Sequence, residues 1–217
     1  MAVKINLPGM FDALKAVPAL LLESNEARSQ RNATVRRPIA PPPPGTPLLV
    51  SFAIALEHTG VYLGANRVAE LECDGTVSIV SLSDFINGGP NDMPIRNGTR
   101  IFAACDAKTR KPLGSKLARA TALKFSKSGF AAGYDFVRNN CHLFTAVCVS
   151  GLSPDDDAFK QLMGGGVTSI RRLEDILERE LNDGRSIAWN VVARSKDKFN
   201  YTLTNEKIVR LRREGKL

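Results

Sequence analysis

His58-Thr59-Gly60-Val61-Tyr62-Leu63-Gly64, then Ala65-Asn66-Arg67, then Val68-Ala69-Glu70-Leu71-Glu72-Cys73, is the stretch on which the fold turns. Its apolar and β-branched residues are broken at Gly64-Ala65-Asn66, residue types that accept a tight turn, so two strands joined as a hairpin are predicted. Alternation with a period of two puts His58, Gly60 and Tyr62 on one face of the first strand. Val68, Glu70 and Glu72 share a face of the second. Depending on the turn register, either Glu70 or Glu72 falls opposite or diagonal to His58, where a carboxylate can hold the imidazole. Spacing alone does not choose between them.

Outward from the hairpin the pattern stays one of short elements. Residues 48–56 read as a strand before it. Asp74-Gly75 marks a turn into a strand over 76–81, and Ser83-Asp84 can cap a short helix over 85–87 that stops at Gly88-Gly89-Pro90. Residues 99–105 read as a strand and 115–127 as a helix, with Leu117, Ala120, Thr121 and Lys124 on successive turns. Asn139 and Asn140 precede an apolar run that predicts a helix beginning at Cys141. Residues 168–181 form an amphipathic pattern with Ile170, Leu173, Ile176, Leu177 and Leu181 inward, 187–192 a last strand, and 206–213 a basic helix. Upstream, residues 8–23 carry a helical apolar stripe interrupted by Pro18, suited to docking a protein partner or packing on the domain. Prolines 41–44 impose an extended path and set the domain start near Gly45. The class is α+β, a strand meander packed with helices. Three parts are expected: a helix and proline-rich linker over 1–45, a main domain over 46–155, and a helical, basic extension over 156–217.

Composition narrows the function classes. Of 217 residues, 43% are apolar and 24% charged, which excludes collagen-like, mucin-like and wholly disordered chains. The formal charge of +8 is spread along the chain rather than gathered in one basic block. Three Tyr and one Trp offer few stacking platforms, so a nucleic-acid partner is not expected. The four cysteines, at 73, 105, 141 and 148, make neither a C-x-x-C pair nor a zinc-finger spacing. No cofactor or metal is expected, and a reducing compartment is. No apolar run reaches the ~20 residues of a membrane span, and no signal-peptide pattern is legible. The expected setting is cytoplasmic, with peripheral contact to an anionic membrane.

The reactive candidates are few. Only His58 and His142 can serve as an imidazole base. His142 follows Cys141 directly, and neighbouring helix positions point about 100° apart, so that pair does not readily share a proton. A thiol at a helix N-terminus facing His58 from a strand is the arrangement that makes a thiolate, because the helix dipole and the imidazolium both favour S⁻. The plainer alternative is an inert packed thiol and a core histidine.

The local sequences add a resemblance. His58-Thr-Gly-Val-Tyr-Leu-Gly64 followed by Val68-Ala-Glu70, and Asn139-Asn-Cys-His-Leu-Phe144, resemble the histidine-strand and asparagine–cysteine motifs of the lecithin:retinol acyltransferase-like proteins. These are a branch of the permuted papain-like, NlpC-related superfamily, and the order of the motifs, histidine strand before cysteine helix, is the permuted one. The likeness spans roughly residues 45–155, and the Asn-Cys-His-Leu-Phe form is that of bacterial-type members. It implies a permuted papain-like fold, with Cys141 as nucleophile, His58 as general base and acid, and Glu70 as the residue that orients His58. In better-known members the third position is often a histidine, so Glu70 is a departure. Asn140 and Tyr62 are the candidates for substrate and oxyanion contacts, and His142 is left as a helix-surface or packing residue.

The implied chemistry is attack of the Cys141 thiolate on an ester or amide carbonyl, giving a thioester that water or an amine resolves. A phospholipid or other lipid acyl ester is the implied donor. The alternatives are a cysteine peptidase or amidase of NlpC type, and a non-catalytic binding or signalling module.

Overall fold

The computed structural model describes residues 41–52, 56–87, 100–130, 140–153, 156–165, 167 and 169–194. Its strands are Pro47–Phe52 (β1), Leu56–Gly64 (β2), Arg67–Leu71 (β3), Val77–Ser81 (β4), Arg100–Asp106 (β5) and Ile187–Arg194 (β6). Its helices are Leu82–Asn87 (α1), Lys116–Ser128 (α2), Cys141–Ser150 (α3), Asp157–Gly165 (α4) and Ile170–Leu181 (α5). The strands form one antiparallel sheet in the order β4-β3-β2-β1-β5-β6. The α+β class expected above holds. The helices expected over 8–23 and 206–213 lie outside the described residues.

The deciding hairpin is β2–β3. Ala65 and Asn66 sit at φ 49° and 58°, the left-handed pair that a tight antiparallel turn needs. Gly60 pairs with Glu70 and Tyr62 with Val68. Continued by two residues, that register sets Glu72 opposite His58 and Glu70 one diagonal step away. Gly60 has to be small: a Cβ there would lie 2.7 Å from the Ala69 carbonyl oxygen and 3.0 Å from the Phe85 ring. Its bareness lets Phe85 of α1 settle against the sheet beside His58.

Two apolar clusters flank the sheet. On one face Leu49, Val61 and Phe102 meet Phe125 of α2, Phe144 of α3 and Leu177 of α5. On the other, Val50, Val68 and Ile101 meet Phe85 and Ile86 of α1. Residues Cys141 to Val149 of α3 are all buried, as expected of a helix apolar on every side. It runs through the core, with its N-terminus at β2.

Several expectations need correction. The run over 48–56 is not one strand: Phe52 pairs with Leu56, so its two ends belong to successive antiparallel strands, and its unbroken apolar composition hides the reversal. The cap of α1 is Ser81 rather than Ser83, with Ser81 Oγ accepting from the Asp84 N–H at 3.1 Å. On α2 the buried positions are Ala118, Thr121, Ala122 and Phe125, while Leu117 is 53% exposed. The small alanines let α2 approach closely, which shifts its inner face by one residue. The main domain does not end at 155. Strand β6 pairs with β5 from Arg100↔Arg194 to Asp106↔Ile187, and Leu173 and Leu177 of α5 complete the first cluster. The charged outer face of α5 suggested an appendage, but its inner stripe closes the core.

Candidate active site

Asn140 starts α3. Its backbone is extended (φ −127°, ψ 175°), its Oδ1 accepts from the Leu143 N–H at 3.0 Å, and its carbonyl accepts from the Phe144 N–H at 3.0 Å. The N–H groups of Cys141 and His142 are the helix-end donors that this cap does not take. Asn140 is thus first of all the residue that sets where the helix begins. Its side-chain oxygen is engaged in the cap.

From β2, the His58 ring meets two groups. Its Nε2 lies 2.7 Å from Oε2 of Glu70, a carboxylate with no exposed surface. Its other partner is the Cys141 thiol, to which it is hydrogen-bonded. Phe85 braces the ring at 5.4 Å between centroids. Of the two carboxylates left open by spacing, Glu70 is the partner of His58, and it is the diagonal neighbour, not the directly opposed one.

The sulfur lies along the β2 backbone, 4.0 Å from the Glu57 carbonyl oxygen. Thr59 Oγ1 donates to the Cys141 carbonyl at 2.9 Å, and Thr145 Oγ1 lies 3.0 Å from Thr59 Oγ1 and 2.9 Å from that same carbonyl. These two hydroxyls fasten the first turn of α3 to β2 and hold the thiol in register with His58. Thr145 stands four residues after Cys141, on its side of the helix, so it was legible in principle. Thr59 was not, because nothing in a strand sequence says which helix crosses it.

Three buried cysteines show what the environment does. Burial raises the thiol pKa of Cys148 well above its ordinary value, and raises that of Cys105 as well. Burial opposes ionisation at Cys141 too. There the His58 charge, the His58 hydrogen bond and the bonds from Thr59 outweigh it, and the pKa falls below the ordinary thiol value. Of the three, Cys141 is the one whose thiol pKa is pushed down rather than up.

Tyr62 is elsewhere. It stands four residues along β2 from His58, roughly 13 Å at a strand's rise. Its hydroxyl accepts from the Asn66 N–H at 3.4 Å, and its ring lines a cavity of about 220 Å³ with Pro41, Leu48 and Val192. It therefore stands away from the thiol along the strand. His142 is buried at 8% exposure, not on the helix surface. Among the described residues, no group of three or more His, Cys, Asp or Glu side chains could hold a metal ion.

A second pair of acids borders the site. Glu174 of α5 accepts from the Trp189 indole N–H at 3.0 Å. Burial, and then the Glu174 charge, raise the carboxyl pKa of Glu57 from 4.5 to about 7. A raised carboxyl favours the folded state below pH 4.5 and loses that contribution as pH climbs to 7. The upper bound is about 3 kcal/mol before the partial exposure of Glu57 reduces it. His142 has the opposite slope, since burial and the His58 charge hold it down to about 4. That slope is common to both proteins in a comparison and cancels. Glu57→Gln is expected to be more stable than the parent at pH 8 by about 1–2 kcal/mol and nearly equal to it at pH 4.5. Urea unfolding at the two pH values measures this; an identical pH dependence in both proteins would remove Glu57 as its source.

No family model, no curated protein and no solved structure matches this chain.

Proposed function

We propose that the protein is a thiol-dependent acyl hydrolase or acyltransferase that works through a thioester at Cys141, with a phospholipid or another lipid acyl ester as donor. The observation that carries this reading is the chain of contacts from Glu70 through His58 to Cys141, ending at a thiol whose pKa is lowered despite its burial. The order of the parts along the chain, histidine strand and then cysteine helix, together with the antiparallel sheet, supports a permuted papain-like arrangement for the fold.

In this mechanism the thiolate adds to the carbonyl carbon of the ester. The oxyanion meets the N–H groups at the start of α3. The imidazolium of His58, held by Glu70, gives its proton to the leaving oxygen as the thioester forms. His58 then accepts a proton from water or an incoming amine, which releases the acyl group. The lipid part of the reading rests on the sequence resemblance, and the charge of +8 is compatible with an anionic surface. Among the described residues no helix is long and apolar enough to cross a membrane.

Incubation with vesicles of phosphatidylcholine and phosphatidylglycerol, followed by intact-protein mass spectrometry, tests the proposal. An added acyl mass on Cys141, absent in Cys141→Ser, is the expected result. An unmodified Cys141 in protein that cleaves a peptide amide would replace the lipid reading with the peptidase one. An unmodified Cys141 with neither activity would favour a binding module.

A further inference from the structure

The other histidine has no part in the mechanism above, yet it sits where chemistry would occur. His142 is the second residue of α3 and is 92% buried by its 8% exposure, and its Nδ1 has no hydrogen-bond partner among the described residues. A buried, unpaired ring nitrogen costs about 1–3 kcal/mol, which an apolar residue at 142 would not incur. Its helix neighbours Leu143 and Phe144 are apolar and fully buried, so the local pattern offers no packing reason for a polar ring. Such a group calls for an absent partner. His58 interacts electrostatically with both Cys141 and His142. Cys141 and His142 are consecutive in the first turn of α3, with side chains splayed by about 100°. Burial and the neighbouring charge keep the His142 ring neutral near pH 7, so it is a hydrogen-bonding group and not a rival base.

We propose that His142 binds substrate: its Nδ1–H donates a hydrogen bond to the carbonyl oxygen of the acyl group that Cys141 attacks. This rests on the reading of Cys141 as an acyl-accepting nucleophile. As the S–C bond forms, the carbonyl π pair moves onto oxygen, and that oxyanion accepts from Nδ1–H beside the helix N–H groups. When the carbonyl re-forms, the C–O bond to the leaving alcohol breaks, and the alkoxide takes its proton from His58. His142 keeps its own proton throughout.

The test uses the full chain, 4-nitrophenyl butyrate as acyl donor and iodoacetamide as a thiol probe that forms no oxyanion. His142→Leu is expected to be alkylated at Cys141 at the parent rate but acylated on the order of 10²–10³-fold more slowly. His142→Asn, whose side-chain N–H₂ stands near the Nδ1 position, is expected to recover most of the acylation rate. Acylation of His142→Leu within about threefold of the parent would overturn the proposal. So would parallel loss of alkylation and acylation in both variants, which marks a packing role. If the parent alkylates rapidly but never gains a butyryl mass, the acyl-transfer reading itself fails and takes this role with it. The parent protein alone separates that case from the others.

Discussion

Replacing His58 by glutamine is expected to slow iodoacetamide alkylation of Cys141 at pH 6.5 by up to about 100-fold, because a thiol of ordinary pKa ~8.5 is only about 1% ionised there. Glutamine keeps an N–H for Glu70 and removes the charge next to sulfur, so the site stays folded while the thiolate is lost. The pH profile should move in a stated direction. With His58 present, reactivity persists below the usual thiol range, since the imidazolium stabilises S⁻. Without it, reactivity rises only as pH approaches 8 and beyond. Peptide mapping by mass spectrometry reads each cysteine separately, and Cys105 and Cys148, whose pKa values are raised by burial, act as internal references. Equal Cys141 rates in the two proteins, or one common rate for all the cysteines, would take away the dyad.

A second large effect concerns stability. Glu70 has no exposed surface, and His58 Nε2 stands 2.7 Å from its carboxylate. His58→Ala takes a hydrogen-bond partner from that buried carboxylate, and a loss of about 3–5 kcal/mol is expected at pH 7. Adding Glu70→Gln to the same chain removes the stranded charge and is expected to restore a large part of the loss. The double variant would then be more stable than His58→Ala, although it carries one more substitution. Urea unfolding of the parent, both single variants and the double variant closes the cycle. Strict additivity of the two losses would show that the pair does not interact in the folded protein.

Much of the frame was legible because it is local. The β2–β3 hairpin follows from Gly64-Ala65-Asn66 between two alternating runs, and Ala65 and Asn66 take the left-handed conformation their types permit. The start of α3 follows from Asn140, whose side chain caps it. His58 and Cys141 stand out on that basis, the resemblance adds Glu70, and His58 and Glu70 lie within hydrogen-bonding distance. The misreadings share a cause. The reversal between Phe52 and Leu56 has no turn-forming residues to announce it. The place of α5 and β6 in the main domain depends on contacts with segments far away in sequence. Tyr62 shares a face with His58, but a shared face does not imply a shared site when four residues of strand intervene.

By itself, then, the order of side chains determined most of the elements, the β2–β3 turn, the cap of α3, and which residues were chemically able to act, since these depend on backbone preference and on neighbours a few positions apart. Only the tertiary structure decided that the carboxylate on His58 is the diagonal one, that Thr59 and Thr145 bind α3 to β2, and that His142 is buried with an Nδ1 that has no hydrogen-bond partner among the described residues. The reason is physical: register, the crossing of a helix over a strand, and the desolvation of a ring are set by packing between segments some 80 residues apart. No local pattern carries that information.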